Sequence, residues 1–266
     1  MLDLEFFQLT HPGLKRDHNE DYLGCFAPQS PDEARSRGWL FALADGVGGH
    51  DRGEVASKVA VDALIEGFGN ASQNDALTAV LPKLLQQANA RVYETAMSTG
   101  PGGSSMATTV VACALRYDRA IVAHAGDSRC YLIRQGFAAP LTRDHTVSGE
   151  QLRMGLITAG EASASRTSHI LSRSLGSVMF LNVDSSEHQL FPGDVLLLCS
   201  DGLHHSVEPE DIANALASGA ALEDAAGELV TLATQRDGGD NISVQLVRIK
   251  SVERVGMYRG RHYKLH

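Results

Sequence analysis

Residues 195–202 read VLLLCSDG, an apolar run that ends on Asp201 and turns at Gly202. Such a run predicts a buried strand, and an acid followed by glycine predicts a sharp turn at its end. Other acid-bearing segments are spread along the chain: RDHNED (16–21), LFALADGVGGH (40–50), IVAHAGDSR (121–129) and GGDNISV (238–244). Strands that end together would bring these acids to one place.

The acids in these segments predict a metal centre; they are Glu20, Asp21, Asp45, Asp127, Asp201 and Asp240. Carboxylates gathered in one pocket repel each other, so they need cations. Ligands that are all oxygen suit hard ions, which favours Mg²⁺ or Mn²⁺. Asn241 is expected to hold the Asp240 turn by local hydrogen bonding.

The amino-acid composition limits the classes of function that the chain can have. The chain has 266 residues, 43% of them hydrophobic, and a formal net charge of −9, which makes nucleic acid an unsuitable partner for its body. No apolar run reaches the roughly 20 residues that span a bilayer, and the N-terminus has no basic leader. The four cysteines form no CxxC pair and suit a reducing compartment, so a cytoplasmic location is predicted.

The order of predicted elements indicates the fold class. Strands at 3–10, 20–27 and 39–45 precede two helices, the second of which Pro82 should kink or start. Runs at 107–116, 119–126 and 129–136 are typical of an antiparallel meander. A further strand, the turn FPGD, VLLLCSD, two helices and a final strand follow. Strict βαβ alternation is absent, which favours an α+β sandwich of antiparallel sheets covered by helices.

Taken together, the segments carry a resemblance. In their order along the chain, seven segments resemble those of the PP2C-type (PPM family) metal-dependent protein serine/threonine phosphatases of bacteria. The segments are RDHNED, ADGVGGH, ATTVV, GDSR, LTRDH, LLLCSDGL and GGDNISV. The resemblance covers nearly the whole chain and implies an α-β-β-α sandwich of two packed antiparallel sheets flanked by helices. It implies a phosphatase domain at 1–250, with a flap at about 146–170, and leaves a basic tail at 251–266.

The resemblance also implies roles for the acids. Asp45 matches the aspartate that bridges two metal ions, and the carbonyl of Gly46 matches a ligand of one of them. Asp201 and Asp240 match ligands of the other ion. The implied cofactors are therefore two bridged Mg²⁺ or Mn²⁺ ions, and the resemblance leaves room for a third.

Further residues match supporting positions of the same family. Glu20 and Asp21 match acids that hold metal-bound waters, and Asp127 matches a position that, with Asp201, holds a third ion. Arg16 matches the arginine that grips the substrate phosphate. In many relatives a histidine two residues after the bridging aspartate is the general acid, and this chain has Val47 there. His50 is one candidate for proton donation, and a metal-bound water is the other.

The implied reaction is hydrolysis of phosphoserine and phosphothreonine in proteins by direct attack of a metal-bridging water. The implied partners are phosphorylated proteins and an opposing serine/threonine kinase, and the protein is expected to be a monomer. A non-catalytic phosphoprotein-binding pseudophosphatase and a phosphatase for small metabolites stay open as alternatives. Cys113 and Arg119 have the C-x5-R spacing of cysteine phosphatases, but CALRYDR lacks the glycines of a phosphate-binding loop.

The end of the chain is basic. Residues 251–266 contain one acidic side chain, Glu253, and four basic ones, Arg254, Arg259, Arg261 and Lys264. The segment is interpreted as a solvated or packed terminus, or as a docking element for an acidic partner or anionic lipid.

Overall fold

The computed structural model describes residues 1–47, 52–73, 75–98, 106–163, 165, 167, 169–217, 219–258 and 261–264. The strands are β1 (Asp3–His11), β2 (Asp21–Phe26), β3 (Trp39–Asp45), β4 (Val110–Arg116), β5 (Arg119–Ala125), β6 (Arg129–Arg134), β7 (Phe137–Pro140), β8 (Asp184–Gln189), β9 (Val195–Cys199), β10 (Ile242–Ser251), β11 (Val255–Tyr258) and β12 (Arg261–Lys264). The helices are α1 (Pro31–Ser36), α2 (Gly53–Asn70), α3 (Leu77–Ser98), α4 (Val147–Arg153), α5 (Ala159–Ser163), α6 (Asp201–His204), α7 (Pro209–Ala215) and α8 (Leu222–Arg236).

Two five-stranded antiparallel sheets form the centre of the protein. One has the order β1-β10-β9-β6-β7, and the other has the order β2-β3-β4-β5-β8. Helices α2 and α3 pack on the outer face of the second sheet, while α7 and α8 pack on the outer face of the first. The predicted α-β-β-α sandwich is therefore confirmed.

Three apolar layers hold the sandwich together. Between the sheets, Phe41, Leu43 and Val111 of one sheet share a cluster with Leu196 and Leu198 of the other. Along β9 the side chains alternate, so that Val195, Leu197 and Cys199 belong to the layer under α7 and α8. The unbroken apolar run of β9 thus follows from burial of the strand on both faces.

The predicted meander is wrong in its third strand. Strands β4 and β5 form the expected hairpin, with Tyr117 at φ 61° in its turn, but β6 lies in the opposite sheet between β9 and β7. The chain changes sheets just after Gly126, whose φ is 116°. A Cβ there would lie 2.5 Å from Cβ of Thr109, so only glycine fits this crossing.

Two local expectations concern the helices. Helix α3 begins at Leu77, and the amides of Ala79 and Val80 bond to the carbonyl of Ala76 at 2.9 and 3.0 Å. Pro82 therefore lies inside the helix and does not start it, at the cost of one backbone hydrogen bond. None of the helices in the described part of the chain is long and apolar enough to cross a membrane.

The predicted flap segment leaves the body through a narrow neck. The amide of Val147 donates to the carbonyl of Ile170 at 2.8 Å, and Thr146 pairs with Leu171 in an isolated bridge. The amide of Ser172 donates to the carbonyl of His145 at 2.8 Å. Helices α4 and α5 thus lie in a segment whose two ends are tied side by side.

The start of the predicted tail contacts the body. Strand β10 extends to Ser251, and the carboxylate of Glu253 lies 3.3 Å from the N-terminal amine and 3.2 Å from Nε of Arg35. Strands β11 and β12 then form a two-stranded hairpin.

The layer between the sheets generates a stability prediction. Leu198 is fully buried there, so Leu198→Ala should leave a cavity and lower the free energy of unfolding by about 2–5 kcal/mol. Leu152→Ala is the matched control, since that side chain is 40% exposed. Urea unfolding should show a lower midpoint for the first variant alone. Equal effects of the two variants would contradict the assigned core.

Candidate metal centre

The predicted acids come from turns at one end of the sandwich. Asp21 begins β2 and Asp45 ends β3, and the two residues are direct partners in the β2–β3 ladder. Asp201 follows β9 of the other sheet, yet it lies close enough to Asp45 for its charge to raise the pKa of the Asp45 carboxyl. The two sheets therefore bring together acids that are distant in sequence.

The backbone of Asp45 is fixed from the neighbouring strand. Its amide donates to Oγ1 of Thr109 at 3.2 Å, and its carbonyl accepts from the amide of Thr109 at 2.8 Å and from Oγ1 of Thr108 at 2.7 Å. Thr109 also bonds to Oγ of Ser128 at 2.6 Å, next to Asp127. These bonds fix the position of Asp45 without using its carboxylate.

Gly46 lies in a crowded position. Its amide donates to the carbonyl of Glu20 at 3.1 Å. A Cβ on Gly46 would lie 2.5 Å from the carbonyl carbon of Gly53, and a Cβ on Gly53 would lie 2.9 Å from Cδ of Glu20. The two glycines thus let Glu20 approach the first residue of α2, where the helix dipole favours a negative charge.

Asn241 connects the loop that carries Arg16 and Glu20 to the Asp240 turn. Its Oδ1 accepts from the amide of Glu20 at 2.8 Å, and its Nδ2 donates to the carbonyls of Pro12 and His18, each at 2.9 Å. The expected local hydrogen bonding is therefore only a small part of its role. Sequence reasoning missed these long-range bonds because an asparagine after an aspartate has the same local pattern as any turn residue.

The turn that carries Asp201 packs against the Asp240 turn. Asp201 is the first residue of α6, and a Cβ on Gly202 would lie 2.1 Å from the carbonyl oxygen of Asn241. Glycine at this position is thus required by the close approach of the two turns. Nδ1 of His205, one helical turn later, lies 3.6 Å from Oδ2 of Asp201.

Arg16 is held at the edge of the cluster. Its Nη2 donates to Oδ2 of Asp240 at 2.7 Å, and the two side chains are 42% and 37% exposed. The arginine predicted to bind phosphate is therefore close to the acids and open to solvent. Asp127 is buried in the turn between β5 and β6, and its carbonyl lies 2.9 Å from Nε2 of His204.

Burial and mutual repulsion make these carboxylates hard to ionise. The pKa of Asp21 is raised to about 7 and that of Asp127 to about 8, chiefly by burial and in part by the charge of Asp201. Burial also raises the pKa of Asp201 and, together with four neighbouring aspartates, raises that of Asp45 well above its usual range. Such a cluster is stabilised by protons or by cations.

The donor set fits divalent cations. Oδ1 of Asp21 is buried and has no hydrogen-bond partner among the residues that the structure describes, although Oδ2 accepts from Ser200 Oγ at 2.8 Å. The other donors are carboxylates and backbone carbonyls, which are the ligands that hard ions prefer.

A second cluster of candidate ligands is a poorer metal site. His124, His145 and Asp184 offer donor atoms within 4.8 Å of one another. Nη1 of Arg173 lies 3.2 Å from Nε2 of His145 and 2.9 Å from Oδ1 of Asp184, so a fixed cation is already present. The two imidazoles stack nearly in parallel, at 14°, which keeps their lone pairs from converging. We interpret this group as an ion-pair network at the flap neck.

Two further sequence predictions concern a histidine and a cysteine. His50 lies outside the described residues, while the amide of Val47 donates to the carbonyl of Ala107 at 3.0 Å. Cys113 and Arg119 lie on adjacent strands of a hairpin, and Cys113 is fully buried. This position is unsuitable for a cysteine nucleophile.

Comparisons with known proteins point to one family. The family model "Protein phosphatase 2C" matches residues 13–242. A "Putative protein phosphatase 2C-type" from Streptococcus pyogenes is 34% identical over 91% of this chain and 96% of that protein. "Serine/threonine phosphatase stp" from Listeria innocua is 34% identical over 95% of this chain and 96% of that protein.

Solved structures show the same likeness. The serine/threonine phosphatase of S. agalactiae superposes with a TM-score of 0.82 at 32% identity, over 93% of this chain and all of that one. The catalytic domain of the phosphatase PstP, solved in complex with two manganese ions, has a TM-score of 0.80 at 31% identity, over 94% and 100% of the two chains.

The raised pKa values generate a prediction about pH. In chelator, the folded protein holds protons on Asp21 and Asp127 that the unfolded chain has already released. The free energy of unfolding should therefore fall as pH rises from about 6.5 to about 8. Below that window the lowered pKa values of buried His124 and His204 act in the opposite direction, since their imidazoles gain protons on unfolding.

Thermal unfolding of the chelated protein across this window measures the effect. The melting temperature should decline with pH, and Asp127→Asn should flatten the upper part of the decline because it removes the group with a pKa of about 8. A melting temperature that stays level or rises would show that the cluster is not strained by ionisation.

Proposed function

The chain belongs to the protein phosphatase 2C family, and from this premise we propose that its carboxylate cluster hydrolyses phosphoserine and phosphothreonine esters in phosphorylated proteins. Membership makes the chain a metal-dependent serine/threonine phosphatase. The observation that carries the proposal is the approach of Asp45 and Asp201, from opposite sheets, within one buried group of acids.

We propose the following distribution of ligands. Asp45 would be shared by two divalent ions, the carbonyl of Gly46 would hold one of them, and Asp201 and Asp240 would hold the other. Bound as a pair, Mg²⁺ or Mn²⁺ ions would lower the pKa of a shared water and offset charge on the phosphoryl oxygens. The hydrogen bonds that fix Asp45 are made by its amide and carbonyl groups and not by its carboxylate. The carboxylate therefore stays available for metal ions, which supports a bridging role.

Three other acids have supporting roles in this proposal. Glu20 and Asp21 would orient ordered water around the ions. Oδ1 of Asp21, which has no hydrogen-bond partner in the described part of the chain, supports this assignment. Asp127, buried and raised in pKa, would hold a third ion together with Asp201. The bridged pair and the third ion are thus assigned to adjoining parts of one acid cluster.

Arg16 would orient the substrate. Its guanidinium is half-exposed and its single described bond, to Asp240, is at the edge of the cluster. A planar guanidinium can give two parallel hydrogen bonds to a phosphate, which lysine cannot reproduce. We propose that Arg16 exchanges Asp240 for the phosphate, and that His50 stays a candidate proton donor to the leaving oxygen.

Protein substrates are favoured over small metabolites, because relatives of this chain are named serine/threonine phosphatases. A cavity of about 370 Å³ lies between α2 and α3, and one of about 300 Å³ lies beside the flap neck, lined by residues that include His145 and Arg173. Neither of these two cavities is lined by an acid of the predicted centre. A small metabolite is best held by an enclosed pocket.

The partners we propose are proteins that an opposing bacterial serine/threonine kinase has phosphorylated. We propose that the phosphatase acts on them as a monomer. The four cysteines are free thiols, three of them buried, and this supports a reducing compartment such as the cytoplasm. The basic hairpin after Glu253 would be a docking element for an acidic partner.

Substitution of a proposed ligand tests turnover directly. Asp201→Asn removes one negative charge from the centre and should lower kcat/KM for an aryl phosphate with Mn²⁺ by at least about 100-fold. Asp224→Asn on the exposed side of α8 is the control and should keep full activity. Full activity of Asp201→Asn would overturn the site assignment, and absence of chelator-sensitive hydrolysis by the unsubstituted protein would favour a pseudophosphatase.

Arg16 can be tested by separating KM from kcat. Arg16→Ala removes a charged hydrogen bond to the phosphate and should raise KM for a phosphopeptide by about 10- to 100-fold, with a smaller change in kcat. Lys15→Ala is the control, since Lys15 is 67% exposed and 3.4 Å from Asp237. A large fall in kcat at unchanged KM would assign Arg16 to the chemical step and not to substrate binding.

A further inference from the structure

Ser200 is a buried serine beside the acid cluster that the proposed reaction does not use. It is the N-cap residue of α6, a position where a serine oxygen ordinarily accepts a hydrogen bond from an amide of the first helical turn. Within the described part of the chain, the side chain of Ser200 makes no such bond, although it is fully buried. A buried hydroxyl needs partners, so the groups that it contacts instead indicate its role.

The hydroxyl of Ser200 joins the two sheets at Asp21. Its Oγ donates to Oδ2 of Asp21 at 2.8 Å and accepts from the amide of Ser243 at 2.9 Å. A serine hydroxyl has one proton, and the carbonyl of Asn241, the other acceptor near this Oγ, is farther away at 3.4 Å. Because a carboxylate is also the stronger acceptor, the proton of Ser200 points to Asp21.

Further hydrogen bonds lead from Ser243 back to the main chain of Asp21. Oγ of Ser243 and Oγ1 of Thr10 are 2.7 Å apart, and Nδ2 of Asn19 donates to the same Oγ1 at 2.7 Å. Oδ1 of Asn19 then accepts from the amide of Asp21 at 3.1 Å. The carboxylate and the amide of Asp21 are therefore both held by residues of this series.

These bonds distinguish the two oxygens of the Asp21 carboxylate. Oδ2 is bound by Ser200, whereas Oδ1 is buried and has no hydrogen-bond partner among the residues that the structure describes. The bond to Oδ2 restricts rotation of the carboxylate, so Oδ1 is the oxygen left for a ligand. Loss of a hydrogen bond that orients an acid beside a metal ion typically lowers metal affinity about 10- to 100-fold.

We propose that Ser200 is a positioning residue of the metal centre, which determines the oxygen of Asp21 that faces the divalent ions. It acts from the opposite sheet, since Ser200 follows β9 and Asp21 begins β2. The inference rests on the proposed function, because Asp21 is assigned there to the water around the catalytic ions. It adds a residue that binds neither an ion nor the substrate and that acts through Asp21 alone.

The test is a calorimetric titration of the full-length, chelator-treated protein with Mn²⁺. Ser200→Ala removes the donor to Asp21 and should raise the dissociation constant for Mn²⁺ by at least about tenfold. Ser57→Ala is the matched control and should leave it unchanged, since Ser57 is also fully buried but donates to the carbonyl of Glu54 within α2, at 3.2 Å. Ser200→Cys is a second variant of nearly native size, and its weak thiol donor should also weaken Mn²⁺ binding.

A double-mutant cycle with Asp21→Ala separates positioning from a general structural role. Asp21→Ala removes the group through which Ser200 acts, so adding Ser200→Ala to it should change the Mn²⁺ affinity by less than about twofold. A purely structural effect of Ser200→Ala would be the same with and without the Asp21 carboxylate. If Ser200→Ala does not fold, Ser200→Cys takes its place in the cycle.

Three outcomes would overturn the inference. Unchanged Mn²⁺ affinity in the Ser200 variants would show that their hydroxyl does not orient Asp21 for the ions. Equal weakening in Ser57→Ala would show that loss of any buried hydroxyl has this effect. A tenfold loss that persists in the Asp21→Ala background would show that Ser200 does not act through Asp21.

A second measurement separates this inference from the proposed function. Hydrolysis of an aryl phosphate by the unsubstituted protein with Mn²⁺ tests the proposed function by itself. If that hydrolysis occurs but Mn²⁺ affinity is independent of Ser200, only the positioning role fails. If Mn²⁺ affinity depends on Ser200 through Asp21 but no phosphate ester is hydrolysed with Mg²⁺ or Mn²⁺, the positioning role stands and the proposed function fails.

Discussion

Repulsion among buried carboxylates is the constraint on which this structure depends. Asp21, Asp45, Asp127 and Asp201 each lose hydration through burial, and their charges disfavour one another's ionisation. No single turn could hold such a group together, because a flexible segment would relax and separate the charges. The four-layer sandwich resists this separation, since the acids stand on turns whose strands are fixed by the apolar layer between the sheets.

Backbone contacts hold the acids while leaving their carboxylates available. Thr108 and Thr109 bond to the main chain of Asp45, and Asn241 bonds to three main-chain groups of the segment 12–20. Gly202 lets the Asp201 turn contact the carbonyl of Asn241 directly. Side-chain oxygens therefore remain free for cations, and the energetic cost of assembling the charges is met by the protein scaffold before any ion binds.

The passage of the chain between sheets also serves the site. At Gly126 the backbone leaves the sheet of β5 and enters the sheet of β6, which places Asp127 at the junction of the two sheets. The amide of Gly126 lies 3.3 Å from Nδ1 of His145, and the carbonyl of His145 accepts from Ser172 at the flap neck. Flap, junction and acid cluster are thus connected through a short series of hydrogen bonds.

The sequence by itself determined the strands, the turns and the acids at their ends, because alternation, apolar runs and glycine after aspartate are local signals of burial and chain reversal. It could not assign β6 to a sheet, since an apolar strand suits either one, and it gave Asn241 only a local role. The tertiary structure alone decided that Arg16 meets Asp240 and that Ser200 meets Asp21. Such contacts depend on the register and packing of elements far apart in the chain, which no local pattern records.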